Sequence, residues 1–180
     1  MSDPFDRLEL DGEEAEQLRL YRRLWLSRVD MLEAQATIDE LIRQEIPFPR
    51  RDRPTPLHMS LTTALVVAYS RPFINSRGER EFADRTVPGS ILKRLTRRQR
   101  AYHDELLDIR NKEIAHMDAV ETELALKIYP DGEAAVLRGP REPFVRQDLR
   151  VIRALTVKIV KEIELRCEVL RYALPHHVWL

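Results

Sequence analysis

The chain has 180 residues, with 30 basic and 30 acidic side chains and therefore no formal net charge. This length suits one domain with a core that needs no disulfide or structural metal. The balanced charge excludes the global positive field that marks strongly basic nucleic-acid-binding proteins. A single cysteine, Cys167, excludes an internal disulfide and a CxxC zinc site, and it favours a reducing compartment.

The composition predicts a mainly α protein, because Gly is scarce and the segments rich in Ala, Leu, Glu and Arg favour helix. The first residues do not show the pattern of a secretory signal peptide, a charged segment followed by an apolar run. The longest apolar stretch, residues 61–69, is far too short to span a bilayer. We therefore expect a cytoplasmic protein without a membrane partner.

The first predicted element is one long amphipathic helix over residues 13–44, a stretch without Pro or Gly. Its apolar residues recur at helical spacing: Leu18, Trp25, Val29, Leu32, Ala36 and Leu41. Pro47 and Pro49 end this helix. Thr55 and Pro56 then predict the start of a second, central helix that runs to Tyr69.

A long exposed connection is predicted over residues 71–89, because this stretch is polar and contains Gly78. After a short turn at 90–95, the capping box of Thr96 and Gln99 predicts a third helix that ends between residues 116 and 118.

Alternation over residues 124–129, the turn sequence Pro130-Asp131-Gly132 and the apolar residues 134–137 together predict a small β-hairpin near residues 123–138. A last helix is predicted from about residue 146 to 174. The expected fold is an up-and-down helical bundle with two long and two medium helices, forming a single domain over residues 1–180.

The most informative segment is Arg110-Asn111-Lys112-Glu113-Ile114-Ala115-His116 in the third helix. On an ideal helix, Arg110 falls between Leu106 and Ile114 in the apolar arc, and His103 lies on the same side two turns earlier. An arginine in such an arc needs a charged partner, a subunit contact or a chemical role.

This segment resembles the signature of HEPN domains, an all-α family found in bacterial toxin and phage-defence systems. The family motif is an arginine, usually followed by a polar residue, then a histidine after four to six positions. Here Asn111 follows Arg110, and five residues separate Arg110 from His116. The resemblance covers about residues 57–118 and implies a single HEPN-like helical domain.

The resemblance implies a metal-independent ribonuclease that needs no cofactor and acts as a homodimer. Arg110 would neutralise the scissile phosphate, and His116 would move protons at the ribose 2′-hydroxyl or the leaving oxygen. Asn111 would orient the histidine or the phosphate. On one straight helix, Arg110 and His116 lie about 120° and ~9 Å apart, so a two-fold dimer suits them better. RNA or a nucleotide and a cognate antitoxin protein are the expected partners.

Four further side chains are predicted as substrate contacts: Tyr69, Arg71, His103 and Lys112. A tyrosine ring can stack on a base, and cations attract phosphates. The alternative for Tyr69 and His103 is a place in the core. The five histidines lack the spacing of metal ligands, so no metal site is predicted.

The alternative function is a catalytically silent helical module that binds a nucleotide or another protein. Arg110 would then pair with Glu113 or with a glutamate of the first helix, and so lock the bundle or a dimer interface. His116 would bond a backbone carbonyl at the helix end.

Overall fold

The structure, a computed structural model, describes residues 12–44, 55–75, 83–115, 124–130, 134–138 and 148–174. Its described part is mainly helical, as predicted, with two long helices and two medium ones: α1 (Gly12–Arg43), α2 (Pro56–Ser70), α3 (Arg97–Ile109) and α4 (Leu149–Ala173). Short 3₁₀ turns cover Arg71–Phe73 and Gly89–Leu92, and a π-helical segment, Arg110–Ala115, directly follows α3. None of the described helices is long and apolar enough to cross a membrane.

Local sequence sets the helix starts. The Thr55 hydroxyl accepts a hydrogen bond from the His58 N–H, with Pro56 in the first turn of α2. At α3, Thr96 and Gln99 make both hydrogen bonds of the predicted capping box. Asp148 caps α4 and places its start at Leu149.

The four helices contact one another in a ring, since α1 and α3 each pack against both α2 and α4. Arg28 pairs with Glu164 and Asp39 pairs with Arg153, so α1 and α4 run antiparallel. One core fills the space between the helices. Its largest fully buried side chains include Leu24, Met31, Ile38, Leu65, Tyr69, Leu106, Ile152, Leu155, Ile159 and Ile163.

Helix α1 carries two apolar stripes, and only one faces the core. Met31 and Ile38 are fully buried, whereas the outward-facing Trp25, Val29 and Leu32 are 43%, 52% and 37% exposed. The long helix is confirmed. Of the apolar series that predicted it, Leu18 and Leu41 are buried, but the other members of that series face outward. Both stripes have helical spacing, so packing against α2 and α4 decides which one is buried.

Two short strands pair antiparallel in the described part of the chain. Strand β1 (Leu124–Ile128) aligns with β2 (Ala134–Arg138), with Leu126 opposite Val136. Residues 131–133, which would join them, lie outside the described residues. The hairpin therefore stays a prediction.

The described ends of the connection between α2 and α3 are anchored rather than fully exposed, which corrects the prediction for 71–89. Pro72 and Val87 are buried, and the Val87 N–H donates to the Pro72 carbonyl at 3.0 Å. The Asp84 N–H donates to the Arg19 carbonyl of α1 at 3.3 Å. These two hydrogen bonds hold the end of α2 and the approach to α3 close to α1.

The two stripes of α1 predict opposite mutational effects. Ile38→Ala should lower the free energy of unfolding by about 2–5 kcal/mol, because it opens a cavity in the core. Val29→Ala should change it by no more than about 0.5 kcal/mol, because Val29 is half-exposed. Urea unfolding of both variants measures the difference, and equal losses would contradict this assignment of the stripes.

Candidate functional site

Helix α3 changes its hydrogen-bonding pattern at Arg110. The Arg110 N–H bonds both the Leu106 and Leu107 carbonyls, and the π-helical segment begins there. A π-helix closes i→i+5 hydrogen bonds, so its residues turn by a smaller angle than in an α-helix. The chain thus stays helical to Ala115, and the predicted end at residues 116–118 lies outside the described residues. The ideal α-helical angles used in the prediction, however, no longer place the residues after Arg110.

Arg110 as a residue is partly buried, and its guanidinium makes an exposed contact with the next residue in the chain. Its Nη1 donates to the Asn111 Oδ1 at 3.1 Å. Among the side chains that the structure describes, no carboxylate pairs with Arg110, so the expected pairing with a glutamate of α1 is not seen there. His116 and the Glu113 side chain lie outside the described set, and their roles stay predictions.

The other predicted cations are held by carboxylates. Arg71 Nη1 lies 3.2 Å from the Asp30 Oδ1 and 2.9 Å from the Glu33 Oε2. Its hydrogen bond to Asp30 raises the pKa of Arg71. Lys112 Nζ lies 3.0 Å from the Asp108 Oδ2 on the preceding turn. Both side chains remain partly exposed, but their charges are compensated locally.

Arg71 also lines an open groove of about 500 Å³ between α1 and α2. The α2 wall consists mainly of small side chains at helical spacing: Ser60, Thr63, Ala64 and Val67. Glu33 closes the α1 side near the Arg71 guanidinium. The predicted contact Arg71 therefore lines a different feature from the segment that carries Arg110.

Tyr69 and His103 are brought together, but in the core. The Tyr69 hydroxyl and His103 Nδ1 lie 2.8 Å apart, and the Phe73 ring packs edge-on against His103 at 4.6 Å. Tyr69 is fully buried and His103 is 4% exposed. Neither ring is open to a base or a phosphate in this structure, so these two residues serve as core contacts between α2 and α3.

Burial is the main reason that the pKa of His103 is lowered to about 4. The charge of Asp104 raises this pKa by less, and the charge of Arg100 lowers it further. Desolvation penalises the charged imidazolium, and Tyr69 satisfies the neutral ring. His103 is therefore neutral at pH 7 and supplies no positive charge to the Arg110 segment.

Arg23 is a buried cation that the sequence analysis missed. It lies on the core side of α1, only 6% exposed, and its Nη2 donates to the Arg71 carbonyl at the end of α2. Burial lowers its pKa, while Asp30 and Asp84 raise it. The available signal was its spacing from Met31 and Ile38, but the apolar series through Trp25 concealed that face.

Within the described ranges, no three His, Cys, Asp or Glu side chains are grouped closely enough to hold a metal ion. The described contact at Arg110 is its hydrogen bond to Asn111, whereas His103 lies apart in the core against Tyr69. Arg110 and Asn111 can donate hydrogen bonds to an anion, but neither carries a carboxylate that would serve as a base.

Removal of the Tyr69 hydroxyl should destabilise the fold. Tyr69→Phe leaves the His103 Nδ1 buried without a partner, so the free energy of unfolding should fall by about 1–3 kcal/mol. Tyr172→Phe is the matched control, because Tyr172 is 78% exposed and should tolerate the change. Chemical denaturation tests both; a Tyr69→Phe variant as stable as the wild type would rule out this bond as a core contact.

Acid should weaken the fold through His103. The pKa of His103 is about 4 in the folded chain and ~6.5 in an unfolded one. The neutral ring therefore makes its full contribution to the free energy of unfolding above pH ~6.5. That contribution is lost as the pH falls from ~6.5 towards 4. Urea unfolding between pH 7 and 4.5 should show a shallower decline for His103→Phe than for the wild type, and parallel declines would count against this titration.

No family model matches the chain, and neither the curated proteins nor the solved structures include a significant match. The HEPN resemblance therefore rests on the sequence motif alone.

Proposed function

We propose that this chain is a HEPN-like protein that binds RNA and cleaves it without a metal ion, as a homodimer. One observation carries the proposal. Of the predicted cations in the described part, Arg71 and Lys112 are paired with carboxylates, whereas Arg110 is hydrogen-bonded to the neutral side chain of Asn111.

This arrangement leaves Arg110 suited to an anion. A guanidinium has five N–H donors, and the described bond to Asn111 uses one of them. The remaining donors match the two oxygens of a phosphate in a bidentate contact. The position at the start of a π-helical segment supports the same interpretation, because such local departures from α-helix are frequent at functional sites.

The proposed reaction is an internal displacement in RNA. The ribose 2′-oxygen bonds to the phosphorus, the bond from phosphorus to the 5′-oxygen breaks, and the products are a 2′,3′-cyclic phosphate and a 5′-hydroxyl. One group takes the proton of the 2′-hydroxyl and another protonates the leaving oxygen. His116 of the two copies would supply these groups, and Arg110 would stabilise the charge that builds on the phosphate.

The biological setting that follows from the resemblance is a toxin or defence system with a cognate antitoxin, in the cytoplasm. A homodimer provides two arginines and two histidines, which a single helix cannot bring into one compact site. No part of this setting requires a cofactor.

A silent protein-interaction module is the second candidate. The observation that favours it is the outward stripe of α1, where Trp25, Val29 and Leu32 expose neighbouring apolar surface. A wild-type protein that cuts no RNA in EDTA at any pH from 5 to 9 would favour this alternative.

Arg110→Ala should abolish most of the cleavage and leave the fold intact. We expect the cleavage rate in EDTA to fall by about 100-fold or more, the scale on which a transition-state donor acts. The melting temperature should change little, because Arg110 is half-buried and no described carboxylate pairs with it. Arg150→Ala, at an exposed position of α4, should cleave like the wild type.

The measurement is the initial rate on a labelled single-stranded RNA, together with thermal melts of each variant. Arg110→Lys tests the bidentate contact, because lysine keeps the charge but loses the planar fork. An Arg110→Ala variant that cleaves at the wild-type rate would remove Arg110 from the site.

A further inference from the structure

His58 is a buried histidine with no hydrogen bond to its ring. It lies in the first turn of α2 and is 5% exposed. Within the part of the chain that the structure describes, neither Nδ1 nor Nε2 has a hydrogen-bond partner. A neutral imidazole always carries one donor and one acceptor, and an apolar side chain of similar size would be more stable in such a place.

The position of His58 along α2 can be related to α3. His58, Thr62, Leu65 and Tyr69 follow one another at steps of four, three and four residues, so they lie on one stripe of α2. Tyr69, at the far end of this stripe, bonds His103 of α3.

Helix α2 contacts both α3 and the π-helical segment that follows it. Because Tyr69 near the end of α2 meets His103 in the middle of α3, the contact with the later π-helical segment must involve an earlier part of α2. The two elements therefore run antiparallel. Eleven residues separate Tyr69 from His58, about 16 Å of helix, and the same distance forward from His103 reaches the π-helical segment.

We propose that His58 is a positioning residue for the Arg110 site. The inference rests on the proposed function, since it concerns the segment that presents Arg110 to RNA. By helical rise, His58 falls level with this segment, and its ring has an unused donor and acceptor. When a phosphate draws Arg110 into place, the imidazole supplies a hydrogen bond to the segment and fixes its bound position.

This role explains why a polar side chain is retained where an apolar one would pack better. Burial lowers the pKa of His58, so the ring is neutral near pH 7 and offers one N–H and one lone pair. Buried polar groups without partners are uncommon and call for a specific explanation, such as a role in function.

Ser70 provides a matched control on the same helix. Its hydroxyl is also buried and has no hydrogen bond within the described residues. Ser70 is, however, the last residue of α2, at the end of the helix farther from the π-helical segment. If burial without a partner were only a defect of packing, His58→Leu and Ser70→Ala would both leave RNA binding unchanged.

The test compares His58→Leu, His58→Gln and Ser70→Ala. The probe is a fluorescein-labelled single-stranded RNA with 2′-O-methyl riboses, which lacks the attacking 2′-hydroxyl and so is not cleaved. Binding is measured by anisotropy in EDTA at fixed salt. We expect His58→Leu to melt at a higher temperature than the wild type yet to bind RNA about tenfold more weakly, the effect of one lost hydrogen bond. His58→Gln should recover part of the binding, and Ser70→Ala should bind like the wild type.

Amide hydrogen exchange of residues 110–115 provides a readout that needs no RNA. His58→Leu should alter the protection of these amides, and Ser70→Ala should leave it unchanged. A His58→Leu variant with wild-type RNA affinity would overturn the inference. If the wild type binds no RNA, the proposed function fails, and unchanged exchange in His58→Leu would then overturn the positioning role independently.

Discussion

The junction between α1 and the end of α2 depends on the buried guanidinium of Arg23. This guanidinium sits among core side chains of α1 and donates to the Arg71 carbonyl, where α2 ends. Asp30, two turns further along α1, pairs with the exposed guanidinium of Arg71. Among the described residues the Nε of Arg23 has no hydrogen-bond partner, and the charges of Asp30 and Asp84 favour its charged form from a distance. A buried charge is costly without such compensation, so the hydrogen bond to the Arg71 carbonyl constrains this junction.

The position of the candidate site follows from that junction. With the end of α2 fixed on α1, Phe73 in the next turn packs against His103, and Tyr69 bonds the same ring. These contacts set α3 against α2, and the π-helical segment that begins at Arg110 continues along α2. The packing of α3 and the π-helical segment against α2 thus decides where Arg110 lies.

Much of the fold was accessible from local sequence, because local rules govern helix ends. Thr55 with Pro56 and Thr96 with Gln99 identified the starts of α2 and α3, since caps satisfy backbone groups within one turn. The candidate site was less accessible. The ideal helical angle placed Arg110 among apolar residues, but the change to π-helix at that residue alters the geometry that the angle assumes.

Residue spacing and caps were enough to predict the helical class, the two long and two medium helices and the motif around Arg110, because these are properties of neighbouring residues. The packing of the helices was needed to establish which stripe of α1 is buried, that Arg23 is enclosed, and that Tyr69 and His103 belong to the core. Burial depends on which helices meet, and two apolar stripes with the same period give no local signal to choose between them.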